Sequence, residues 1–107
     1  MGCALETEDG QVTTGANVEN ASYGLSMCAE RVAVAAAVVA GARRVRRVVL
    51  ATEAGEPVAP CGACRQVLWE FGTDMEVVSV TEDGRRASWT LRELLPRGFE
   101  LGARGEG

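Results

Sequence analysis

Two short stretches near the start of the chain have the composition of β-strands. Cys3 to Thr7 and Val12 to Ala16 flank Glu8-Asp9-Gly10, and an Asp-Gly pair between two such stretches is a strong hairpin signal. The pattern predicts two short strands joined by a tight turn. The polar stretch that follows, Asn17 to Ser26, is predicted to be irregular.

The longest apolar run of the chain lies in its first half. Val32 to Ala40 is uninterrupted by polar residues, within a predicted helix from Met27 to Ala40 that ends at Gly41. A membrane span needs about 20 apolar residues, so this run predicts a buried helix and no membrane segment. Because the helix is apolar nearly all round, it must be covered on every side. In so small a chain, that requirement predicts self-association.

The second half of the chain alternates predicted strands and helices. In order, these are a strand, a helix, a strand, a short strand and a helical turn: Val45 to Thr52, Cys61 to Phe71, Met75 to Thr81, Ala87 to Thr90 and Leu91 to Leu95. Together with the hairpin, they predict one α/β domain over residues 1–107, with a mixed sheet and helices packed against it. The Gly-rich segment 98–107 is predicted to be a loose tail.

Composition and charge exclude several classes of function. The chain of 107 residues has a net charge of −4, which argues against binding of nucleic acid polymers. It contains no His and no Lys, so Ser-His or Cys-His nucleophile pairs and Schiff-base chemistry are excluded. Acid or base catalysis must therefore use a carboxylate, a thiol, the single tyrosine or a metal-bound water.

The four cysteines indicate where the protein acts and what they do. The first residues lack the basic start and long apolar stretch of a secretory signal, so we expect a cytoplasmic protein. In a reducing compartment, cysteines are metal ligands or catalytic thiols more often than disulfides.

Three of these cysteines have the spacing of a zinc site. Cys61 and Cys64 are three positions apart at the start of a predicted helix, so both sulfurs can lie on one face. The positive end of the helix dipole favours the thiolates that bind zinc. Cys28 is predicted in the first turn of the other helix. Three thiolates and a water would form a catalytic zinc site with one open position.

Glu30 supplies the carboxylate that such a site needs. If the ion lies in front of the helix end, Cys28 can bind it while Glu30 reaches the open position and takes a proton from the bound water. Cys-x-Glu followed by Pro60-Cys-x-x-Cys is the signature of the zinc deaminases.

Two other interpretations of the cysteines are open. A Cys-x-x-Cys pair alone is also typical of a redox pair or a buried structural pair. A non-catalytic zinc module would use Cys3 as a fourth thiolate that closes the site, but it leaves Glu30 and Asn17-x-Glu19 without a role.

Several motifs resemble the small homotetrameric cytidine deaminases. They are Thr14-Gly15-Ala16-Asn17-Val18-Glu19-Asn20-Ala21-Ser22-Tyr23-Gly24, Cys28-Ala29-Glu30-Arg31, Pro60-Cys61-Gly62-Ala63-Cys64-Arg65-Gln66-Val67-Leu68, and Leu94-Leu95-Pro96 followed by Phe99. The resemblance implies a three-layer α-β-α fold around a mixed sheet, with Zn²⁺ as cofactor. It also implies hydrolytic deamination of cytidine and deoxycytidine to uridine and deoxyuridine, with release of ammonia, in pyrimidine salvage.

The resemblance further implies a role for each matching residue. Glu30 would shuttle protons between the attacking water, N3 of the cytosine ring and the departing amine. The other roles are zinc ligation by Cys28, Cys61 and Cys64, sugar binding by Asn17 and Glu19, contact of the Ala29 backbone with the base carbonyl, packing of Phe99 on the base from a neighbouring subunit, and subunit contact by the loop of Tyr23.

Two arginines stand beside the predicted zinc ligands. A dication with three thiolates has a net charge of −1, which weakens its pull on a bound water. Arg31 and Arg65 could hydrogen-bond the sulfurs and withdraw that charge. The alternative is that both are ordinary arginines of the helix surface.

The resemblance fails at the N-terminus. In the family, an N-terminal helix and a Tyr-Ser-x-Phe-x-Val stretch precede the Gly-Ala-Ala that Gly2-Cys3-Ala4 resembles, and neither is present here. An upstream truncation of the gene model and a genuine short form both explain this. Without that helix, we expect apolar sheet surface to be uncovered and nucleoside affinity or folding to be compromised. A related aminonucleoside deaminase, acting on an antibiotic such as blasticidin S, is a second interpretation of the same motifs.

Overall fold

The computed structural model describes residues 1–99, which contain a five-stranded sheet, three α-helices and a short 3-10 helix, Tyr23–Leu25, within the segment predicted to be irregular. The strands are β1 (Gly2–Thr7), β2 (Val12–Ala16), β3 (Val45–Thr52), β4 (Glu76–Thr81) and β5 (Arg86–Thr90), and the helices are α1 (Ala29–Val39), α2 (Gly62–Trp69) and α3 (Leu91–Leu94). The strand order is β2-β1-β3-β4-β5, in which β3 and β4 are parallel and the other neighbours are antiparallel. The predicted mixed sheet is confirmed.

The direction of the strands places two helix N-termini at one edge of the sheet. β2 and β3 are both antiparallel to β1, which lies between them, and β4 is parallel to β3. All three therefore run the same way. Helix α1 follows β2 and helix α2 follows β3, so both helices begin at the edge where these strands end.

Both hairpin turns are made by the same four residues, Thr-Glu-Asp-Gly, at positions 7–10 and 81–84. In each turn the threonine hydroxyl donates to the aspartate carboxylate and accepts from the backbone N–H four residues further on. Gly10 and Gly84 have φ angles of 89° and 88°, which glycine adopts without a steric penalty. The same local sequence thus builds the same turn twice.

The core lies between the helices and one face of the sheet. Inward-facing strand residues such as Leu5, Val48 and Val77 are fully buried with Ala33 of α1 and Leu68 of α2. Alternate residues of the same strands point to the opposite face, since successive side chains of a strand alternate.

On that opposite face, Ala4, Val49 and Val78 pair side by side in register and form an apolar row. The core cluster of residues 1–99 does not include them. The described residues thus supply two of the three layers of the predicted α-β-α arrangement.

Helix α1 begins later than predicted, and its last turn is exposed in the single chain. It starts at Ala29, because Cys28 has an extended backbone (φ −72°, ψ 152°) and occupies the N-cap position. Its buried positions follow the helical period, but Val38 and Val39 are 50% and 89% exposed. Within residues 1–99, no helix is long and apolar enough to span a membrane.

Gly15 allows α1 to lie directly on β2. A Cβ atom at this position would be 2.5 Å from the Ala29 carbonyl oxygen and 2.6 Å from the Ala33 nitrogen. Thr13, two residues earlier, holds the same turn of the helix by donating its hydroxyl to the Ala33 carbonyl at 2.9 Å. The Ala29 oxygen and the Ala33 nitrogen belong to the backbone of α1, so neither can move away from Gly15 without shifting the helix.

We therefore expect Gly15→Ala to destabilise the protein by about 1–3 kcal/mol, because the added methyl group overpacks the contact between β2 and α1. Chemical denaturation measures the change. Gly55→Ala is the matched control, since a Cβ at Gly55 meets nothing within 4 Å. Equal stability of the two variants would contradict the close contact.

Candidate active site

Three thiols meet where the two helices begin. Cys28 is the N-cap residue of α1, Cys61 is the N-cap residue of α2, and Cys64 lies in the first turn of α2. Their Sγ atoms all lie within 4.8 Å of one another. The site forms because the strands that precede the helices end at the same edge of the sheet.

The sequence predicts Cys28 and Cys61 inside the first turn of their helices. In the structure they occupy the N-cap positions, one residue before each helix. Each has an extended backbone, and its carbonyl accepts the first helical hydrogen bond, at 3.1 Å from Val32 N and 3.0 Å from Arg65 N. The Cys28 thiol makes no capping hydrogen bond. The three sulfurs are gathered at the two helix ends.

The pKa values of two of these thiols, Cys61 and Cys64, are shifted in opposite directions. Burial opposes ionisation of Cys61, but hydrogen bonds from the backbone and thiol of Cys64 and from Cys28 outweigh it and lower the pKa of Cys61. Burial raises the pKa of Cys64, and the nearby charge of Glu30 adds to the effect. A divalent cation would replace the proton that Cys64 retains, because metal ligation requires the thiolate.

Glu30 is a buried carboxylate beside the thiols. Glu30 is only 3% exposed, and its Oε1 atom has no hydrogen-bond partner among the described residues. An unpartnered carboxylate oxygen in the interior is unfavourable unless a cation, a water or a ligand meets it. With three sulfur donors adjacent, this oxygen fits the open side of a zinc site.

Cys3 does not join this group. It lies on β1 and is 5% exposed, and burial together with the charge of Glu30 raises its pKa to about 12. The cluster of potential metal ligands among residues 1–99 consists of Cys28, Cys61 and Cys64. The geometry therefore favours a site open to substrate over a closed four-thiolate module.

The two predicted arginines differ in where they point. Arg31 donates from Nη2 to the Ser26 carbonyl at 3.3 Å and reaches Cys28 Sγ at 3.9 Å, a contact that raises the pKa of Arg31. Arg65 does not turn to the sulfurs, where we had expected it. Its Nε donates to the Pro60 carbonyl at 2.7 Å and Nη1 to the Leu94 carbonyl at 2.9 Å. It ties the start of α2 to the end of α3.

The predicted sugar-binding residues lie beside the start of α1. Asn17 is exposed, and its Oδ1 accepts from the Ala29 N–H at 3.0 Å. Ala29 itself is fully buried. Glu19 is exposed two residues further on, and no hydrogen bond or ion pair within the described part of the chain involves its carboxylate.

Phe99 is held by its backbone while its ring is exposed. Gln66 of α2 donates from Nε2 to the Phe99 carbonyl at 2.9 Å and accepts from the Phe99 N–H at 3.1 Å. The preceding Gly98 lies so close to the Trp69 ring that a side chain would clash. Two residues of the predicted loose tail are thus fixed to α2, and residues 100–107 lie outside the described residues. The predicted roles had not included Gln66, although its side chain anchors this segment.

An α/β domain that joins Cys-x-Glu and Pro-Cys-x-x-Cys at two helix N-termini belongs to the class of zinc-dependent nucleobase deaminases. Residues 1–81 match the model of the cytidine and deoxycytidylate deaminase zinc-binding region. The chain is therefore a member of the cytidine and deoxycytidylate deaminase family, and the resemblance of its motifs is confirmed.

Individual relatives agree in sequence and in structure. The chain is 45% identical over 100 residues to cytidine deaminase of Halalkalibacterium halodurans, covering 92% of this chain and 76% of that protein. It is 41% identical over 101 residues to cytidine deaminase of Mycobacterium tuberculosis, covering 94% and 73%. The crystal structure of cytidine deaminase from Burkholderia pseudomallei superposes with a TM-score of 0.87 at 46% identity, covering 92% of this chain and 80% of that one.

We expect the Cys3→Ser protein to retain zinc and the Cys64→Ser protein to lose it, because Cys64 belongs to the thiol cluster and Cys3 does not. Elemental analysis of purified, folded protein measures both. Loss of zinc from folded Cys3→Ser protein would instead support the closed four-thiolate site.

Proposed function

We propose that this protein is a cytidine deaminase, which hydrolyses cytidine and deoxycytidine to uridine and deoxyuridine with release of ammonia. The observation that carries the proposal is the pairing of three clustered thiols with one buried carboxylate whose Oε1 lacks a partner in the described structure. That pairing suits the activation of water for attack on the aminopyrimidine ring.

The chemistry divides between the metal and the residues of the chain. Zinc, held by Cys28, Cys61 and Cys64, supplies the Lewis acidity that makes a water molecule nucleophilic near neutral pH. Glu30 Oε1 accepts one proton of the water as the water oxygen bonds to C4, and it passes this proton to N3 of the cytosine ring. It then accepts the second proton of that oxygen and passes it to the amine, which leaves as the C4–N bond breaks. Burial on α1 keeps the carboxylate in place and restricts bulk water. One water is consumed and one ammonia leaves.

The groups that bind the nucleoside are proposed from their position around this site. Asn17 and Glu19 are exposed beside the N-terminus of α1 and suit the sugar hydroxyls. We assign the Ala29 N–H as a donor to the carbonyl of the base. The same N–H also donates to Asn17 Oδ1, so the two oxygens would share it. The exposed Phe99 ring, held by Gln66, suits packing on a base in a neighbouring subunit.

A homotetramer is the assembly that we propose. Most of the large exposed apolar side chains among residues 1–99 lie on the C-terminal turn of α1 and in the segment between β2 and α1, and they include Val39 (89% exposed), Tyr23 (89%) and Leu25 (67%). Burial of such a surface favours association. The net charge of −4 suits a small nucleoside over a polynucleotide. The four free thiols suit a reducing compartment such as the cytoplasm, where we place the reaction in pyrimidine salvage.

When purified protein is added to cytidine, the ultraviolet absorbance of the nucleoside should fall and ammonia should be released. Glu30→Gln should retain zinc yet lower kcat by at least about 100-fold, because the proton carrier is lost. Glu56→Gln, at an exposed loop position, is the matched control. Undiminished kcat in Glu30→Gln would remove Glu30 from the mechanism, and turnover of other aminonucleosides without turnover of cytidine would overturn the substrate.

Arg31→Gln should lower kcat/KM about tenfold while zinc is retained, since a positive charge beside a ligating sulfur withdraws electron density from it. The contact to Cys28 Sγ is the basis of this expectation. Arg43→Gln, in the exposed segment after α1, controls for loss of one positive charge. Unchanged kinetics in Arg31→Gln would mark Arg31 as a surface arginine.

A further inference from the structure

The helix that carries Glu30 lacks a cap of its own. The N-cap position normally holds Ser, Thr, Asp or Asn, whose side-chain oxygen accepts from a free N–H of the first turn. Here the position is Cys28, which makes no capping hydrogen bond because its sulfur lies in the thiol cluster. Helix α3 shows the contrast, since Thr90 caps it through its own hydroxyl.

Asn17 supplies an acceptor from outside the helix, for the N–H of the first helical residue and not for the second or third N–H that an N-cap side chain would take. Its Oδ1 accepts from the N–H of Ala29, the first residue of α1, at 3.0 Å. Val18 and Met27 exchange two backbone hydrogen bonds, at 2.9 and 2.8 Å. In a continued antiparallel ladder, the Ala29 N–H would donate to the Ala16 carbonyl. The Asn17 side chain takes the place of that carbonyl.

This hydrogen bond reaches the peptide unit that joins Cys28 to Ala29. That unit lies between the metal ligand and Glu30, so its orientation sets both the direction of the Cys28 side chain and the start of the turn that carries the carboxylate. Gly15 and Thr13 fix the same turn from the sheet side. Asn17 fixes it from the side of the candidate sugar site.

The same bond fixes which end of the Asn17 amide faces outward. A backbone N–H can pair only with the amide oxygen, so the flip state is determined and Nδ2 is the group left to donate. Asn17 is exposed, so Nδ2 is accessible to an oxygen of a bound nucleoside.

We propose that Asn17 is a positioning residue, in which Oδ1 holds the Cys28–Ala29 peptide for metal binding and catalysis. This capping function is separate from the sugar contact assigned to Asn17 above, for which Nδ2 is the donor. The donor function rests on the proposed deaminase activity, whereas the capping function can be tested without it. Two substitutions separate the two functions. Asn17→Asp keeps an acceptor oxygen and loses the donor, and Asn17→Ala loses both.

The test measures zinc affinity by competition with a chromogenic chelator, the Tm of the metal-free protein, and KM and kcat with cytidine. Asn17→Ala should raise the zinc dissociation constant about tenfold, lower the Tm by about 4–8 °C and lower kcat. Asn17→Asp should keep wild-type zinc affinity and Tm, since its carboxylate also suits a helix N-terminus, but should raise KM about tenfold.

Asn20→Ala is the matched control. The Asn20 Oδ1 accepts from the Ser22 N–H at 2.8 Å in the same exposed segment, so the variant removes a similar bond away from α1 and should keep zinc affinity. Wild-type zinc affinity in Asn17→Ala, or loss of zinc by Asn17→Asp equal to that of Asn17→Ala, would overturn the capping function. An unchanged KM in Asn17→Asp would overturn the donor function. Absence of cytidine turnover in the wild type would refute the deaminase activity alone, because zinc affinity and Tm do not depend on it.

Discussion

The meeting of two helix N-termini at one group of thiols is the constraint on which the rest of the structure depends. It requires β2 and β3 to point the same way with β1 between them, and it requires α1 to lie close enough to β2 that no side chain fits at Gly15. Both helix dipoles then present their positive ends to the same sulfurs, which lowers the energy of the thiolates. A shift of either helix would separate the ligands.

Features that depend on a few neighbouring residues could be predicted from the sequence. The two Thr-Glu-Asp-Gly turns form the same hydrogen bonds because each contains its own donor, acceptor and left-handed glycine. The strands around them follow, and so does the mixed sheet. The thiol cluster joins residues that are distant in sequence, and it was predictable for a different reason: Cys-x-Glu followed by Pro-Cys-x-x-Cys is the signature of the zinc deaminases, which places Cys28 with Cys61 and Cys64.

Features that depend on distant partners could not be predicted in this way. Arg65 was expected at the sulfurs, but the Leu94 carbonyl, 29 residues away, and the Pro60 carbonyl offer it direct hydrogen bonds. Gly98 and Phe99 were expected in a loose tail, but Trp69 and Gln66 hold them. Apart from Pro60, which lies just before α2, the competing partners are distant in sequence from the residues they hold, and nothing in the local sequence shows that the fold brings them near.

The site is where the protein departs from the rule that buried polar groups are satisfied. Glu30 Oε1 and Arg31 Nε are buried without a partner within residues 1–99, and the helix that carries them begins at a cysteine whose sulfur makes no capping hydrogen bond. Each departure is unfavourable for folding by itself. All of them occur within four residues of the chain, at Cys28 to Arg31, and the sheet, Gly15 and Asn17 restrain those residues from two sides. Such local conflict persists only where the surrounding structure holds it, which is the condition that a preorganised catalytic group also requires.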